Sequence, residues 1–314
     1  MESLESQLKS KARKLGFGLV GITDAAPPLS YEAYRQWVAD GHHGTMAYMA
    51  RSHELRADLN TLLPGVQSVV AVGAFYRQPE ELPADHPKFA RYALGRDYHK
   101  VLRGRLRTLD RWLHAEEGQG RICVDSAPVL EREYAHRAGL GWYGKNTMLI
   151  NTHAGSWFVI GLLLSTRKLA PDAPAQGGCG TCRACIDACP TGAIVHRHGR
   201  WQVDARDCIS YLTIEHRGEI ESDREAKLDD WVFGCDVCQE VCPFNTVRPH
   251  QPGRAPVLTI EDFRARTWPP VEELAHLTSE AWDTLTAGSP VRRAGYDGLR
   301  RHARRARRMR DARV

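Results

Sequence analysis

Two groups of cysteines constrain this chain more than any other feature of its sequence. The first reads Cys179-Gly-Thr-Cys182-Arg-Ala-Cys185-Ile-Asp-Ala-Cys189-Pro, and the second is Cys208 followed by Cys235-Asp-Val-Cys238-Gln-Glu-Val-Cys242-Pro. The C-x2-C-x2-C-x3-C-P run is the spacing with which bacterial ferredoxins bind 4Fe–4S clusters, and its fourth cysteine serves the other cluster. One cluster is therefore predicted to be bound by Cys179, Cys182, Cys185 and Cys242. The other is predicted to be bound by Cys189, Cys208, Cys235 and Cys238.

A zinc ribbon is the alternative for cysteines at such spacing. It requires two C-x2-C pairs and has no use for a triple run that ends in proline, so the spacing favours iron–sulfur clusters. The ninth cysteine, Cys123, is expected to be a small buried side chain on a strand. Thiolates that bind iron require a reducing compartment, and the N-terminus carries neither a secretory signal nor a twin arginine. We therefore expect the cytoplasm.

The chain has 314 residues, enough for two or three domains, and its class is predicted to be α+β. Its longest apolar run, 157–164, is too short to span a membrane and indicates a buried strand. Further strands are predicted at 17–23, 66–75 and 121–124, with an amphipathic helix from about Tyr98 to Ala115. Another helix is expected from about Ser126 and Pro128 to Ala138, with Gly139 ending it. No G-x-G-x-x-G motif follows any strand, which disfavours a nicotinamide site.

Three regions follow from this pattern. Strands that alternate with helices predict an N-terminal α/β domain over residues 1–168. A linker rich in proline and glycine leads into a ferredoxin-like domain, residues 169–249, that carries both cysteine groups. Residues 250–314 are expected to form a short helical region, in which Ser289 caps a helical turn that begins at Pro290.

The formal net charge of +5 is unevenly distributed. Residues 291–314 contain ten arginines and two aspartates, a charge of +8, so the remaining residues together carry −3. A local positive field of this kind indicates a polyanionic partner such as RNA, and a solvated basic end is the alternative. The candidate RNA contacts are Arg292, Arg293, Arg300, Arg301, Arg304 and Arg305.

An electron carrier needs far fewer residues than this chain has. The N-terminal domain is therefore expected to hold an active site that uses the electrons passed by the two clusters. Asp125 is the best isolated catalytic candidate there, because it follows a predicted strand and precedes a turn that a proline restricts. The alternative for Asp125 is a structural role as a turn-stabilising or helix-capping carboxylate.

Four stretches extend the argument by resemblance: 91–99 (RYALGRDYH), 124–132 (VDSAPVLER), 138–146 (AGLGWYGKN) and 208–215 (CISYLTIE). Together with both cysteine groups, they resemble the signature stretches of the epoxyqueuosine reductases. The resemblance implies a monomeric, cobalamin-dependent enzyme with two 4Fe–4S clusters. Such an enzyme reduces epoxyqueuosine to queuosine in the anticodon loop of tRNA, the last step of queuosine biosynthesis, with electrons from a low-potential donor that the sequence does not identify.

The same resemblance implies the layout of the molecule. The N-terminal domain becomes a cobalamin-binding domain related to that of the reductive dehalogenases, followed by the ferredoxin-like domain and the helical C-terminal region. Many members of the family carry a longer helical-repeat extension, whereas this chain stops soon after Arg293. We therefore expect its arginine-rich tail to supply part of the RNA-binding surface.

The resemblance supplies the cofactor, and the residues then suggest roles of their own. Cobalamin is expected to act as the nucleophile on the epoxide, with Asp125 as the proton donor to the departing oxygen. Burial against the corrin ring is expected to raise the pKa of Asp125 so that it holds that proton. Cobalamin is rimmed with amides, so its contacts should be polar, and the candidates are Arg56, Arg91, Tyr98, Asn146, Ser210, Thr213 and Glu215. The alternatives are a turn residue for Asn146, a packing role for Tyr98 and surface charge for the arginines. The sequence contains no Asp-x-His-x-x-Gly motif, so we expect the lower face of the corrin to lack a protein ligand.

Two rival functions share parts of this pattern. A corrinoid reductive dehalogenase has the same cofactor plan, but its export signal is missing here and a basic tail has no obvious use on a small halogenated substrate. An iron–sulfur electron-transfer partner protein without its own substrate is the other alternative, and the signature context of Asp125 argues against it.

Overall fold

The computed structural model describes residues 2–83, 85–246 and 255–312. Its helices are α1 Leu4–Lys14, α2 Tyr31–Ala39, α3 Ala47–Arg51, α4 Tyr98–Leu113, α5 Glu131–Arg137, α6 Ala184–Asp187, α7 Ile209–Ile214, α8 Ser222–Glu225, α9 Val237–Glu240, α10 Val271–Ala275, α11 Ser279–Thr286 and α12 Gly295–Asp311. Its strands are β1 Leu19–Asp24, β2 Ser68–Phe75, β3 Lys88–Phe89, β4 Gly120–Cys123, β5 Trp142–Tyr143, β6 Leu149–Ile150, β7 Phe158–Ser165, β8 Ile194–Arg197, β9 Arg200–Val203 and β10 Trp231–Phe233. Over these residues, no helix combines the length and the apolar character that crossing a membrane requires.

A four-stranded sheet forms the centre of the N-terminal part, in the order β1-β2-β7-β4. All three neighbouring pairs are antiparallel, and β2 pairs with β7 along its whole length, from Ser68 opposite Ser165 to Phe75 opposite Phe158. The predicted strands and the α+β class are thus confirmed. The expectation of an α/β arrangement in this part is corrected, because strands separated by helices nevertheless run in opposite directions.

Helices cover both faces of this sheet. On one face, α1 and α4 bury Leu8, Leu102 and Leu106 against the valines of β2. On the other face, α5 buries Tyr134 in a second core that includes Cys123. The burial of Cys123 at the end of β4 confirms its predicted structural role.

The loop after β4 is longer than predicted. Helix α5 begins at Glu131 and not near Ser126, and the Asp125 backbone turns sharply at the start of this loop with a positive φ of +57°. Gly139, with a φ of +82°, ends α5 as predicted.

The cysteine-bearing part consists of short elements that are fastened to the rest of the chain. Strand β10 pairs in parallel with β3, and Phe233 lies edge-on to Phe89 with ring centroids 6.4 Å apart. Helices α10 and α12 complete this core with Leu274 and Leu299.

The predicted boundary between residues 249 and 250 lies outside the described residues, and the domain boundaries stay predictions. Ser289 accepts a hydrogen bond from the Val291 N–H at 3.2 Å, which confirms the predicted cap.

Several arginines of the C-terminal region support the chain between Cys208 and Cys235. Arg305 is 2% exposed and donates hydrogen bonds to the carbonyl oxygens of Asp229, at 2.9 Å, and Trp231. Arg301 donates to the carbonyl of Gly218 at 2.8 Å. Arg305 was predicted to contact RNA. That prediction is wrong, since its guanidinium is buried and donates its hydrogen bonds to backbone carbonyls inside the protein.

Replacing Arg305 with methionine is therefore expected to destabilise the fold. Met has a similar length but donates no hydrogen bond, so two buried carbonyls lose a partner at a cost of about 1–3 kcal/mol in the free energy of unfolding. Urea unfolding measures this difference. The matched control is Arg308→Met on the exposed face of α12, which loses a surface ion pair with Glu225 at 3.3 Å and should change the free energy of unfolding by no more than about 0.5 kcal/mol. Equal losses in both variants would contradict the structural role of Arg305.

Candidate active site and cluster-binding loops

Four cysteines from both sequence groups line one cavity of about 220 Å³. They are Cys179, Cys182, Cys185 and Cys242, the set that the spacing predicts for one cluster. Within the described residues, no three His, Cys, Asp or Glu side chains are arranged to hold a single metal ion. The four thiols instead surround an open space, with Asn146, Ile150 and Phe244 on its wall.

The remaining four cysteines also interact with one another. Cys208 and Cys235 both interact electrostatically with Cys189, and Cys238 interacts with Cys208 and Cys235. Burial raises the pKa of the Cys208, Cys235 and Cys238 thiols, so binding of a metal cluster must displace protons from them. Cys238 further interacts with Cys185 of the first set. The two predicted cluster sites therefore adjoin.

Asp125 lies at the end of β4, in the loop that begins with its positive φ. Its N–H donates to Glu131 Oε1 at 2.6 Å, and its Oδ2 lies 2.8 Å from His99 Nε2. His99 Nδ1 in turn lies 2.7 Å from Asp97 Oδ1. The Asp125 side chain is 61% exposed, so its carboxylate faces open space while His99 and Glu131 hold it from behind. Left-handed backbone at a non-glycine residue is characteristic of functional sites.

The protonation states of this group differ from the prediction. Although the Asp125 side chain is largely exposed, the surrounding protein partly desolvates its carboxylate and acts to raise its pKa. The hydrogen bond and the positive charge of His99 outweigh this effect and hold that pKa below its usual value. Burial lowers the pKa of His99, yet Asp125 and Asp97 together raise it to about 9. Burial and the charge of Asp125 raise the pKa of Glu131 to about 8. At neutral pH the protons therefore reside on His99 and Glu131, and the expected raised pKa of Asp125 is corrected.

Sequence reasoning missed His99, Asp97 and Glu131 as members of the site. His99 is the second residue of α4, and Asp97 caps that helix by accepting the His99 N–H at 3.0 Å. His99 and Glu131 both fall inside the signature stretches 91–99 and 124–132. A titratable side chain within such a stretch was the signal that could have identified them.

Side chains from three further parts of the chain surround the space in front of Asp125. The Tyr98 ring stacks on His99 with centroids 4.0 Å apart. Arg293 forms a two-point ion pair with Glu215, at 2.9 Å for each bond, and its guanidinium lies 5.7 Å from the Tyr48 ring centroid. Both Arg293 and Tyr48 interact electrostatically with Asp125. Helices α3 and α4, the end of α7 and the C-terminal region therefore meet at one site.

The seven predicted cobalamin contacts separate into three sets. Tyr98 and Glu215 lie at the Asp125 site. Ser210 lies beside Cys208, and Arg91 donates to Glu240 at 3.2 Å and lies over the Trp157 ring, on the side of the cysteine loops.

The third set, Arg56, Asn146 and Thr213, is buried among internal partners. Arg56 donates to Ser52 O at 2.8 Å, Asn146 to Cys238 O at 3.1 Å and Thr213 to Ile209 O at 2.7 Å. Arg56 and Thr213 thus bond to backbone carbonyls of the protein, and Asn146 also lines the cavity of the first cysteine set. That these three contact cobalamin stays a prediction.

Of the predicted RNA contacts, Arg292, Arg293 and Arg304 are exposed. Arg300 donates to the Tyr296 hydroxyl at 2.6 Å and is half-buried, as is Arg301. Each of these three exposed arginines also has a partner in the protein: Arg292 pairs with Asp283, Arg293 pairs with Glu215, and Arg304 donates to Ala275 O at 3.1 Å.

Comparison with known proteins agrees with the resemblance. Residues 56–126 match the family model "Epoxyqueuosine reductase QueG, DUF1730", and residues 178–245 match the model of a 4Fe-4S double cluster binding domain. A curated protein of Leadbetterella byssophila, named epoxyqueuosine reductase, is 41% identical over 307 residues, which cover 96% of this chain and 98% of that protein. The chain belongs to the epoxyqueuosine reductase family. The predicted family and the double-cluster module are thus confirmed.

Solved epoxyqueuosine reductases also share the fold. One structure, with an epoxyqueuosine-modified tRNA-Tyr stem loop, superposes with a TM-score of 0.88 at 26% identity and covers 98% of this chain and 81% of its own. The Bacillus subtilis enzyme, with its catalytic aspartate loop swung out of the active site, gives a TM-score of 0.84 at 26% identity and the same coverage.

Proposed function

We propose that this protein reduces epoxyqueuosine to queuosine in the anticodon loop of tRNA. The observation that carries the proposal is the exposed carboxylate of Asp125, which His99 supports with a hydrogen bond at a site that Arg293 also lines. Asp125 can donate a proton, and the neighbouring Arg293 and Tyr48 can contact the phosphate and the base of a nucleotide, so the site suits a reaction on a nucleotide. The solved relative with a modified stem loop supports the same substrate.

The reaction needs two electrons, two protons and the loss of one oxygen as water. We assign single-electron transfer to two clusters held by the two sets of four cysteines. When bound, cobalamin supplies a low-valent cobalt that delivers both electrons beside the substrate. Tyr98 and Glu215, two of the predicted cobalamin contacts, lie at the Asp125 site and would hold a ring rimmed with amides.

The protein's own groups supply the proton for the departing oxygen. His99, protonated at neutral pH, passes its proton through Oδ2 of Asp125 to that oxygen. Asp97 holds the His99 ring in place and stabilises its charge, and Glu131 fixes the Asp125 loop through the Asp125 N–H. The second proton comes from solvent. His99 thus holds the proton before the reaction, and Asp125 transfers it to the substrate.

The pH dependence of turnover tests this relay. The pKa of His99 is raised to about 9, so His99 is charged below that value and loses its proton as the pH rises through it. Single-turnover conversion by pre-reduced protein is therefore expected to fall above pH of about 9. Glu131→Gln, which keeps an acceptor for the Asp125 N–H but does not titrate, should retain this fall. His99→Gln should convert substrate slowly at every pH and should show no fall above pH of about 9. A wild-type pH profile in that variant would contradict the relay.

The exposed arginines suit the tRNA. Arg293 and Tyr48 form a cationic and aromatic surface at the opening of the site, on which a base flipped out of the anticodon loop can stack. Arg304 adds positive charge for the phosphates, and Arg292 can do so in competition with its ion pair to Asp283, which makes binding salt-dependent. We place the protein in the cytoplasm, because its proposed clusters require reducing conditions. There we expect it to act as a monomer that receives electrons from a low-potential donor.

An electron-consumption assay separates this function from its rivals. Protein with both clusters and cobalamin is supplied anaerobically with reduced methyl viologen, and viologen oxidation is followed after each addition. Epoxyqueuosine-containing tRNA should accelerate oxidation, whereas a brominated phenol, unmodified tRNA and an oxidised ferredoxin should not. Acceleration by the phenol alone would indicate a dehalogenase, and acceleration by ferredoxin alone would indicate an electron-transfer protein.

A further inference from the structure

Lys145, from the N-terminal part of the chain, binds the loop that carries the first cysteines. Its backbone N–H donates to Cys179 Sγ at 3.4 Å. Its Nζ donates to Gly180 O at 2.7 Å and to Cys182 O at 2.9 Å. One residue therefore makes three hydrogen bonds to a single cysteine loop, including one to a sulfur.

The surroundings of Lys145 keep it in this position. It lies in the turn between β5 and β6, which the Gly144 N–H closes by donating to Met148 O at 2.9 Å. Asn146, the next residue, donates to Cys238 O at 3.1 Å and lines the cavity of the first cysteine set. Nζ also lies 5.9 Å from the Trp201 ring centroid. The turn therefore contacts the loops of both cysteine sets, but only Lys145 brings a charge.

We propose that Lys145 is a positioning residue that raises the reduction potential of the cluster bound by Cys179, Cys182, Cys185 and Cys242. This inference rests on the double-cluster assignment in the proposed function. Reduction adds negative charge to a cluster, and hydrogen bonds to its sulfurs and nearby charge set its potential. The ammonium group of Lys145 stabilises that added charge, and its bonds to Gly180 and Cys182 hold Cys179 against the donating N–H.

The other cluster should be affected less. Asn146 is neutral and contacts a carbonyl in the second cysteine set, not a sulfur. The two clusters would therefore differ in potential, and the first would accept electrons more readily. Electrons that arrive from an external donor would then reside first on the cluster whose cysteine loop Lys145 contacts.

The test uses Lys145→Met, which removes the charge and the side-chain hydrogen bonds, and Lys145→Gln, which removes the charge but keeps an N–H donor. The matched control is Arg183→Met, an exposed cation of the same loop that pairs with Asp187 at 3.3 Å. Midpoint potentials are measured by redox titration with electron paramagnetic resonance on cluster-loaded protein, without tRNA. Iron content is measured in each sample.

Both Lys145 variants should lower the midpoint potential of one cluster and leave the other unchanged, and Arg183→Met should change neither. Wild-type potentials in Lys145→Gln with full iron would overturn the proposal. So would iron loss in Lys145→Met together with unchanged potentials in Lys145→Gln, since Lys145 would then be only structural. Because no substrate is converted in this experiment, its failure leaves the proposed reaction on tRNA untouched.

Discussion

Replacing Asp125 with asparagine is expected to slow single-turnover conversion of epoxyqueuosine tRNA by about 10²–10⁴-fold, the usual contribution of general acid catalysis. Asparagine has the same shape and tolerates a left-handed backbone, so the φ of +57° and the loop should persist. Its amide can still contact His99 but cannot accept and release the proton. Iron content, bound corrinoid and tRNA affinity should therefore match the wild type.

The chain offers a matched control for this variant. Asp110 Oδ1 lies 2.7 Å from His114 Nδ1 on α4, a carboxylate–histidine pair that resembles Asp125 and His99 in geometry. Asp110→Asn removes a similar pair away from the site, and we expect wild-type conversion from it. Full conversion by Asp125→Asn would remove Asp125 from the mechanism, and equal losses in both variants would indicate a general effect on folding.

The second large effect concerns Cys242. Cys242→Ala is expected to remove one cluster, and with it half of the iron and nearly all turnover, because the path of single electrons is broken. The cavity groups Cys242 with Cys179, Cys182 and Cys185, although Cys238 is its nearest cysteine in sequence. Iron analysis and electron paramagnetic resonance of anaerobically purified protein measure the loss.

Two double variants test the grouping. Cys182→Ala with Cys242→Ala alters one predicted cluster only, so its iron loss should equal that of Cys242→Ala alone. Cys238→Ala with Cys242→Ala alters both clusters and should remove almost all of the iron. Equal iron losses in the two double variants would refute the crossed assignment. Cys123→Ala is the control, because Cys123 is buried in the core beside the central sheet and should affect no cluster.

The parts of the fold that depend on local pattern could be predicted from the sequence. The spacing within each cysteine run is local, and the ferredoxin pattern, in which the fourth cysteine serves the other cluster, predicts that Cys242 joins the first three cysteines. Strands β2 and β7 and helix α4 carry continuous or periodic apolar residues, which indicate burial directly. The same reasoning identified Asp125 at the end of β4 and Cys123 as a core side chain.

The remainder depends on contacts that no local pattern shows. His99 and Asp125 are 26 positions apart and meet only because α4 lies across the end of β4. That contact reverses the expected shift in the pKa of Asp125. The burial of Arg305 escaped prediction for a similar reason, since an arginine-rich segment indicates an exposed surface unless backbone carbonyls elsewhere are known to need donors. Thr213 is likewise buried by packing that the sequence does not reveal.

Mass spectrometry of the tRNA nucleosides tests the central claim most directly. Protein loaded with both clusters and cobalamin is reduced anaerobically, mixed with tRNA that carries epoxyqueuosine, and the tRNA is then digested to nucleosides. We predict that the epoxyqueuosine nucleoside is replaced by one lighter by a single oxygen atom, and that oxidised protein leaves it unchanged. An unchanged nucleoside mass with fully loaded and reduced protein would contradict the proposed function.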